Sequence, residues 1–167
     1  MITRDDLALV FFGRSNKPLF EKILSKEFYL NFNMRIGEAK LTNFSDGELF
    51  FSVEESVRGL DCYIVQSTCF PHNDNLMELC VMADALKRAS AKSVTAIFPY
   101  FGYARQDRQV SPRTPITAKL VADIVTTSGV DHVVVLDIHS WQTQGFFNTK
   151  LFDNLQSTTF MCDHLYL

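Results

Sequence analysis

Phe-Pro-Tyr-Phe-Gly-Tyr-Ala-Arg-Gln-Asp-Arg-Gln-Val-Ser-Pro-Arg-Thr-Pro runs from Phe98 to Pro115 and joins two segments of opposite periodicity. It leaves an apolar β-type run, Val94 to Phe98, and enters an amphipathic segment, Pro115 to Ser128. Pro115 suits a first helical turn and Gly129 a C-cap, with Ile116, Leu120, Val121, Ile124 and Val125 as the apolar face. Beyond it, His-Val-Val-Val-Leu-Asp (His132 to Asp137) has the continuous apolar character of a strand in the middle of a parallel sheet. Strand, loop, helix, strand predicts a right-handed βαβ unit, and its loop falls at the carboxyl end of a strand, where open α/β sheets bind ligands. That loop holds Arg105, Arg108 and Arg113 with one acid, Asp107. Guanidinium forks match phosphate oxygens, at about 1.5–3 kcal/mol for each charge-assisted bond. The competing reading is a solvated basic loop.

Toward the amino terminus, Leu7 to Phe12 predicts a buried strand ending at Gly13. Lys17 to Lys26 predicts a helix with Leu19, Phe20, Ile23 and Leu24 inward, and Arg35 to Leu41 an extended segment. Leu49, Phe51 and Val53 alternate as in a half-buried strand, and Asp61 to Ser67 is a β-rich buried run. After a polar loop, Thr68 to Asn75, a helix capped near Asn73 or Asp74 buries Leu76, Leu79, Cys80, Ala83 and Leu86 and ends on Lys87 and Arg88. Leu151 to Leu155 reads as extended, and Ser157 to Leu167 as the start of a last helix. The order predicts an α/β fold: a doubly wound, mostly parallel sheet with helices on both faces. The expected division is a nucleotide-binding domain over 1–150, with 151–167 the start of a second domain or a truncated end.

Composition narrows the class. With 167 residues, 47% of them hydrophobic, the chain can bury a core and is not disordered. A net charge of −3 argues against nucleic acid as partner and makes the arginines a local feature. No apolar run of about 18 residues points to a membrane span. Met1 to Phe12, with Asp5 and Asp6, lacks a signal-peptide layout, so the expected location is the cytoplasm. Cys62, Cys69, Cys80 and Cys162 show no Cys-x-x-Cys spacing, which favours buried free thiols over zinc or disulfides.

Two further constellations carry chemistry. In Phe44-Ser-Asp-Gly-Glu48 an extended backbone would point Asp46 and Glu48 to one face, with no side chain between them at Gly47. Such carboxylates can accept bonds from an amine donor such as an adenine amino group; the alternative is an ordinary polar turn with a glycine. Asp137 and His139, two apart at the end of the strongest strand, can hold a magnesium–phosphate group, directly or through water. The alternative there is a strand-end cap.

Taken in order, these pieces form a set. Phe44–Glu48, Ser56–Gly59 (Ser-Val-Arg-Gly), Gln66–Cys69 (Gln-Ser-Thr-Cys) and Asn73–Leu79 (Asn-Asp-Asn-Leu-Met-Glu-Leu) precede Pro99–Arg108, Pro115–Lys119 (Pro-Ile-Thr-Ala-Lys), Asp137–His139 and Gln144–Phe147. Together they closely resemble ribose-phosphate diphosphokinase, phosphoribosyl pyrophosphate synthetase, in its amino-terminal half and from roughly Leu7 to Leu167. The resemblance implies a phosphoribosyltransferase-like fold. It also implies transfer of diphosphate from ATP to the C1 hydroxyl of ribose 5-phosphate, giving phosphoribosyl pyrophosphate and AMP for nucleotide biosynthesis, with Mg2+. By the same resemblance Phe44 stacks on adenine while Asp46 and Glu48, flanking Gly47, bond its edge. Arg105 and Gln106 bind the nucleotide and its phosphates, and His139 with Asp137 faces the metal. Arg105, Arg108 and His139 form the catalytic set, in part on a loop that closes over the phosphates. The family builds its adenine pocket across a subunit boundary, which implies a homo-oligomer, at least a dimer and a hexamer once a second half is supplied. Three positions depart from the pattern: Gln109 replaces a frequent basic residue, Asn148 a frequent acid, and Trp141 a small or polar residue. The family is about twice as long, and no Asp-Asp-x-x-x-Thr-Gly-type loop for ribose 5-phosphate occurs here. The chain is therefore expected to be a piece of a longer enzyme or a half-length relative, inactive alone. The alternative is a non-catalytic regulatory or scaffold subunit associated with synthetases.

Overall fold

A computed structural model describes residues 7–24 and 33–165. Six parallel strands run in the order β2 (Met34–Ile36), β1 (Ala8–Phe12), β5 (Asp61–Val65), β6 (Ser93–Phe98), β7 (His132–Leu136), β8 (Leu151–Leu155). Strands β3 (Ala39–Asn43) and β4 (Leu49–Val53) form a separate antiparallel hairpin. The helices are α1 (Lys17–Leu24), α2 (His72–Arg88), α3 (Thr117–Thr127) and α4 (Thr158–Leu165). This is the doubly wound α/β architecture that the apolar strand runs predict.

Register places Phe11, Ile64, Ala96, Val133 and Phe152 side by side across five strands. All but the edge residue Phe152 are buried, against Leu79, Met82, Ala83 and Leu86 of α2 and Val121, Ala122 and Val125 of α3. A fully buried leucine contributes about 1.5–3 kcal/mol, so this layer is the main source of stability. On the opposite face Val10, Phe12, Tyr63, Val65 and Ile97 meet Leu19 and Ile23 of α1 around a cavity of about 210 Å3. Helices thus cover both faces.

Several expectations are corrected. The extended run over 35–41 is two strands, β2 and β3, broken at Gly37 and Glu38. Helix α2 begins at His72, with Pro71 at its N-cap and no side-chain cap, so Asn73 and Asp74 lie inside its first turn. Helix α3 has Ile116 at its N-cap, which leaves Pro115 outside the helix. The face of α3 that meets the core is Ala118, Val121, Ala122 and Val125, because small residues allow close approach; Ile116, Leu120 and Ile124 are exposed. Strand β8 pairs in parallel with β7 along Leu151–Leu155. Cys62 and Cys80 are buried, and burial pushes the Cys62 thiol up to about 12, so it is inert as a nucleophile; Cys162 is exposed. The expectations for residues 1–6, for the end of the first helix at Lys26 and for 166–167 lie outside the described residues.

Candidate functional site

The chain leaves β6 into the Phe98–Pro115 stretch, and buried aromatics fix its first half. Phe98 and Phe101 pack edge to face at 5.2 Å, and Phe101 meets Phe147 at 5.5 Å. Between them Gly102 passes so close to the chain after β5 that an added Cβ would sit 2.4 Å from the Thr68 carbonyl oxygen. The Gly102 amide donates to Thr68 Oγ1 at 2.7 Å, and Thr68 N–H donates to the Tyr100 carbonyl at 2.9 Å. Tyr103 then takes a left-handed backbone, φ 62°, and Ala104 is buried again. The turn ends with Arg105 and Gln106 exposed. The Gln106 carbonyl accepts the Ala118 amide and its side chain accepts the Thr117 hydroxyl, which ties the tract to the start of α3. Further along, Arg108 and Arg113 are exposed, and Gln109 donates to the Thr114 carbonyl at 3.0 Å.

Asp137 and His139 stand at the end of β7 next to this tract. A cavity of about 180 Å3 is lined by Tyr100, Phe101, Ala104 and Arg105 on one side and by residues 136–139 on the other. The structure therefore brings Arg105 and His139 to one cavity at the carboxyl edge of adjacent strands. Asp137 lines it too, but one carboxylate oxygen accepts the Ser157 amide at 3.0 Å and so caps the chain before α4. Hydrogen bonds from Ser157 hold the Asp137 carboxyl below its ordinary value. Its backbone is left-handed, φ 48°. Among the described residues no group of three or more His, Cys, Asp or Glu side chains could hold a metal by itself. One imidazole and a carboxylate already bonded by Ser157 would leave a magnesium ion to take most of its ligands from phosphate and water.

The Phe44–Glu48 segment is not extended, so the same-face geometry expected of Asp46 and Glu48 is corrected. It is the turn of the β3–β4 hairpin: the Phe44 amide donates to the Glu48 carbonyl at 2.8 Å, and the Gly47 amide to the Phe44 carbonyl at 3.0 Å. Asp46 folds back to accept the Glu48 amide at 3.0 Å. Gly47 sits at φ 96°, where a side chain would be strained. Phe44 is 55% exposed, its ring 5.4 Å from Phe50. This turn borders a different and larger cavity, about 930 Å3, between Arg14–Asn16, the hairpin and α2. Within one chain, hairpin and arginine tract line separate cavities with no residue in common.

Beside that cavity lies a buried polar cluster that none of the sequence motifs announces. The direction of winding reverses between β1 and β5, and there Arg14, Gln66 and Glu78 close the crevice. Glu78 is 2% exposed and Gln66 fully buried. Arg14 donates to Glu78 from both its amide and Nε, at 2.5 and 2.6 Å, and Gln66 Nε2 donates to Glu78 at 3.0 Å. The available signal was an acid beside Leu79 and Cys80 on the apolar face of a helix, because a buried charge requires a partner.

These features define an open, mostly parallel α/β domain of the phosphoribosyltransferase type, with a phosphate-suited arginine and an imidazole at the ends of adjacent strands. The family model for the N-terminal domain of ribose phosphate pyrophosphokinase matches residues 8–129, and the chain belongs to that family. It is 54% identical over 146 residues to the ribose-phosphate pyrophosphokinase of Agrobacterium fabrum, covering 87% of this chain and 45% of that protein. The protein of the same name from Fusobacterium nucleatum is 50% identical over 152 residues, 91% of this chain and 46% of its own length. Among solved structures, phosphoribosylpyrophosphate synthetase from Mycobacterium smegmatis superposes with a TM-score of 0.86 at 37% identity, covering 95% of this chain and 51% of that one. The chain spans about half the length of the curated relatives it matches. Among the described residues, no helix is long and apolar enough to cross a membrane.

Proposed function

We propose that this chain is the nucleotide-donor half of a ribose-phosphate diphosphokinase, acting in the cytoplasm. The observation that carries the reading is the convergence of Arg105 and His139 on one cavity at the ends of β6 and β7. Mg-ATP binds there, with Arg105 and Gln106 on its phosphates and His139, with the remaining oxygen of Asp137, facing the magnesium. Arg108, on the exposed segment after Gln106, approaches the phosphates when that segment closes. The magnesium supplies charge neutralisation on the transferring diphosphate. Phe44 offers a half-exposed ring for the base, and Glu48 and the free oxygen of Asp46 offer acceptors to its amino edge. The family resemblance implies that the hairpin of a second copy completes the site, so the functional unit is at least a dimer; that hairpin and arginine tract line separate cavities within one chain supports this reading.

The transferred group is the β,γ-diphosphate. The C1 hydroxyl oxygen of ribose 5-phosphate attacks the β-phosphorus, the bond to the α-phosphate oxygen breaks, and AMP leaves. In such a reaction the protein's work is alignment and electrostatics, and a misplacement of about 1 Å costs roughly a hundredfold. No cradle for the phosphate of the acceptor sugar is recognisable in these 167 residues, so nucleotide binding and turnover separate: the chain binds Mg-ATP and forms no phosphoribosyl pyrophosphate alone. Calorimetry on the wild type and on Arg105→Ala tests this. The expected result is a loss of roughly tenfold or more in Mg-ATP affinity, the worth of one charge-assisted contact; equal affinity removes Arg105 from the site.

A further inference from the structure

We infer that Arg14 is a positioning residue for the base-reading hairpin, fixing the Phe44–Glu48 turn to the body of the domain without touching the nucleotide. The inference rests on the nucleotide-binding reading above.

Among the described residues the hairpin joins no other sheet, and an isolated two-stranded hairpin is marginal in water. Its apolar attachment is at the root, where Phe51 is buried and meets Phe11 edge to face at 6.2 Å. Toward the tip, among the described residues, the aromatic side chains are not buried in the core. Phe44 and Phe50 are exposed, and the cavity of about 930 Å3 lies between the turn and α2. A polar bridge spans that space. Arg14 Nη1 donates to Asn43 Oδ1 at 2.5 Å, and Asn43 Nδ2 donates to the Gly47 carbonyl at 2.8 Å, inside the turn.

The other end of the bridge is buried. Glu78 receives Arg14 through both carboxylate oxygens and also accepts from Gln66, which donates in turn to the Asn75 carbonyl at 3.1 Å. Ser15 donates to Gln66 from its hydroxyl. The Arg14 backbone amide and Nε meet the two oxygens of one buried carboxylate, so the stem is pinned at both ends and the planar guanidinium aims Nη1 at Asn43. That is why an arginine can act as a strut here and a lysine cannot: an ammonium on a flexible stem reaches Glu78 or Asn43, with no set angle between them. Arg14 therefore transfers the rigidity of the β1–β5–α2 core to the turn that carries Phe44, Asp46 and Glu48.

The test compares two ligands, because the hairpin reads the base and the arginine tract the phosphates. Mg-ATP and Mg-tripolyphosphate are titrated into the wild-type chain and into Phe44→Ala, Asn43→Ala and Arg14→Lys. Asn43 is exposed, so Asn43→Ala cuts the bridge and leaves the core ion pair intact. The expected result is a loss of about fivefold in ATP affinity in both bridge variants, as the competent turn becomes a minority state, with tripolyphosphate affinity unchanged. Equal losses for both ligands would show a merely structural role, and unchanged ATP affinity would remove the strut; either overturns the inference. If Phe44→Ala itself leaves ATP binding intact, the base-reading role of the hairpin is what fails. Amide exchange then decides Arg14 separately: Phe44, Gly47 and Glu48 exchange faster in Asn43→Ala, with β5 and β6 unchanged, if the strut holds the turn, and at the wild-type rate if it does not.

Discussion

The 98–106 tract and the 44–48 turn both present polar groups to solvent, yet they are held in opposite ways. The first is anchored by apolar side chains, with Phe98, Phe101 and Ala104 buried at intervals that leave Arg105 and Gln106 outside. The second is anchored by hydrogen bonds over long sequence separations, 29 residues from Arg14 to Asn43 and 64 from Arg14 to Glu78. An apolar anchor yields about 25 cal/mol for each Å2 buried, whatever the detailed geometry. A polar one gives direction but little net energy, about 0.5–1.5 kcal/mol for each bond. The arginine tract is thus built for stability of place and the hairpin for precision of angle.

Removing the apolar anchor breaks the first half of that contrast and has the largest expected effect. Phe101→Ala opens a cavity among Phe98, Phe147 and Ala104 and is expected to cost about 3–5 kcal/mol, read from the denaturant midpoint. Asn43→Ala, the matching cut in the hairpin, is expected to stay within about 0.5 kcal/mol. Between them lies a polar tether at the far end of the sheet. Asp131 takes Lys87 Nζ at 2.9 Å, Lys150 Nζ at 3.2 Å and the Val94 amide at 2.9 Å. Burial pushes its carboxyl up, but these donors outweigh burial and hold it below its ordinary value. A depressed folded value means that the contribution is complete above the unfolded value of about 3.9 and disappears as pH falls through the folded one. Lys87→Met is therefore expected to cost about 1 kcal/mol at neutral pH, with the gap to wild type closing below pH of about 4 in acid titrations of stability. A gap independent of pH would show that the lysine stem, not its charge, does the work.

How much of this was legible in the sequence follows the same contrast. Apolar periodicity marked the strands around Phe11, Ile64, Ala96 and Val133, and the parallel sheet with them, because burial leaves its pattern in consecutive residues. It also marked the arginine tract, since Arg105 lies directly after a buried strand and its aromatic turn. The outer face of α3 was misread because Ile116, Leu120 and Ile124 fit helical spacing as well as Ala118 and Ala122 do, and only packing selects the small pair. The turn at Gly47 and the capping by Asp137 were weighed as alternatives and are what the backbone adopts. The Arg14–Glu78–Gln66 cluster left only an acid on an apolar helix face, because its members meet across 64 and 12 residues of chain and no local pattern encodes that.

The most direct measurement counts nucleotide sites in mixed chains. Arg105→Ala has an intact hairpin and a broken tract; a chain carrying Phe44→Ala and Glu48→Ala has the reverse. Each alone is expected to bind Mg-ATP weakly. If hairpin and arginine tract meet across two copies, an equimolar mixture recovers roughly a quarter of the wild-type sites at wild-type affinity, the share that random pairing in a two-fold dimer makes whole. A mixture that recovers none, while the wild type binds fully, would contradict a site shared between copies.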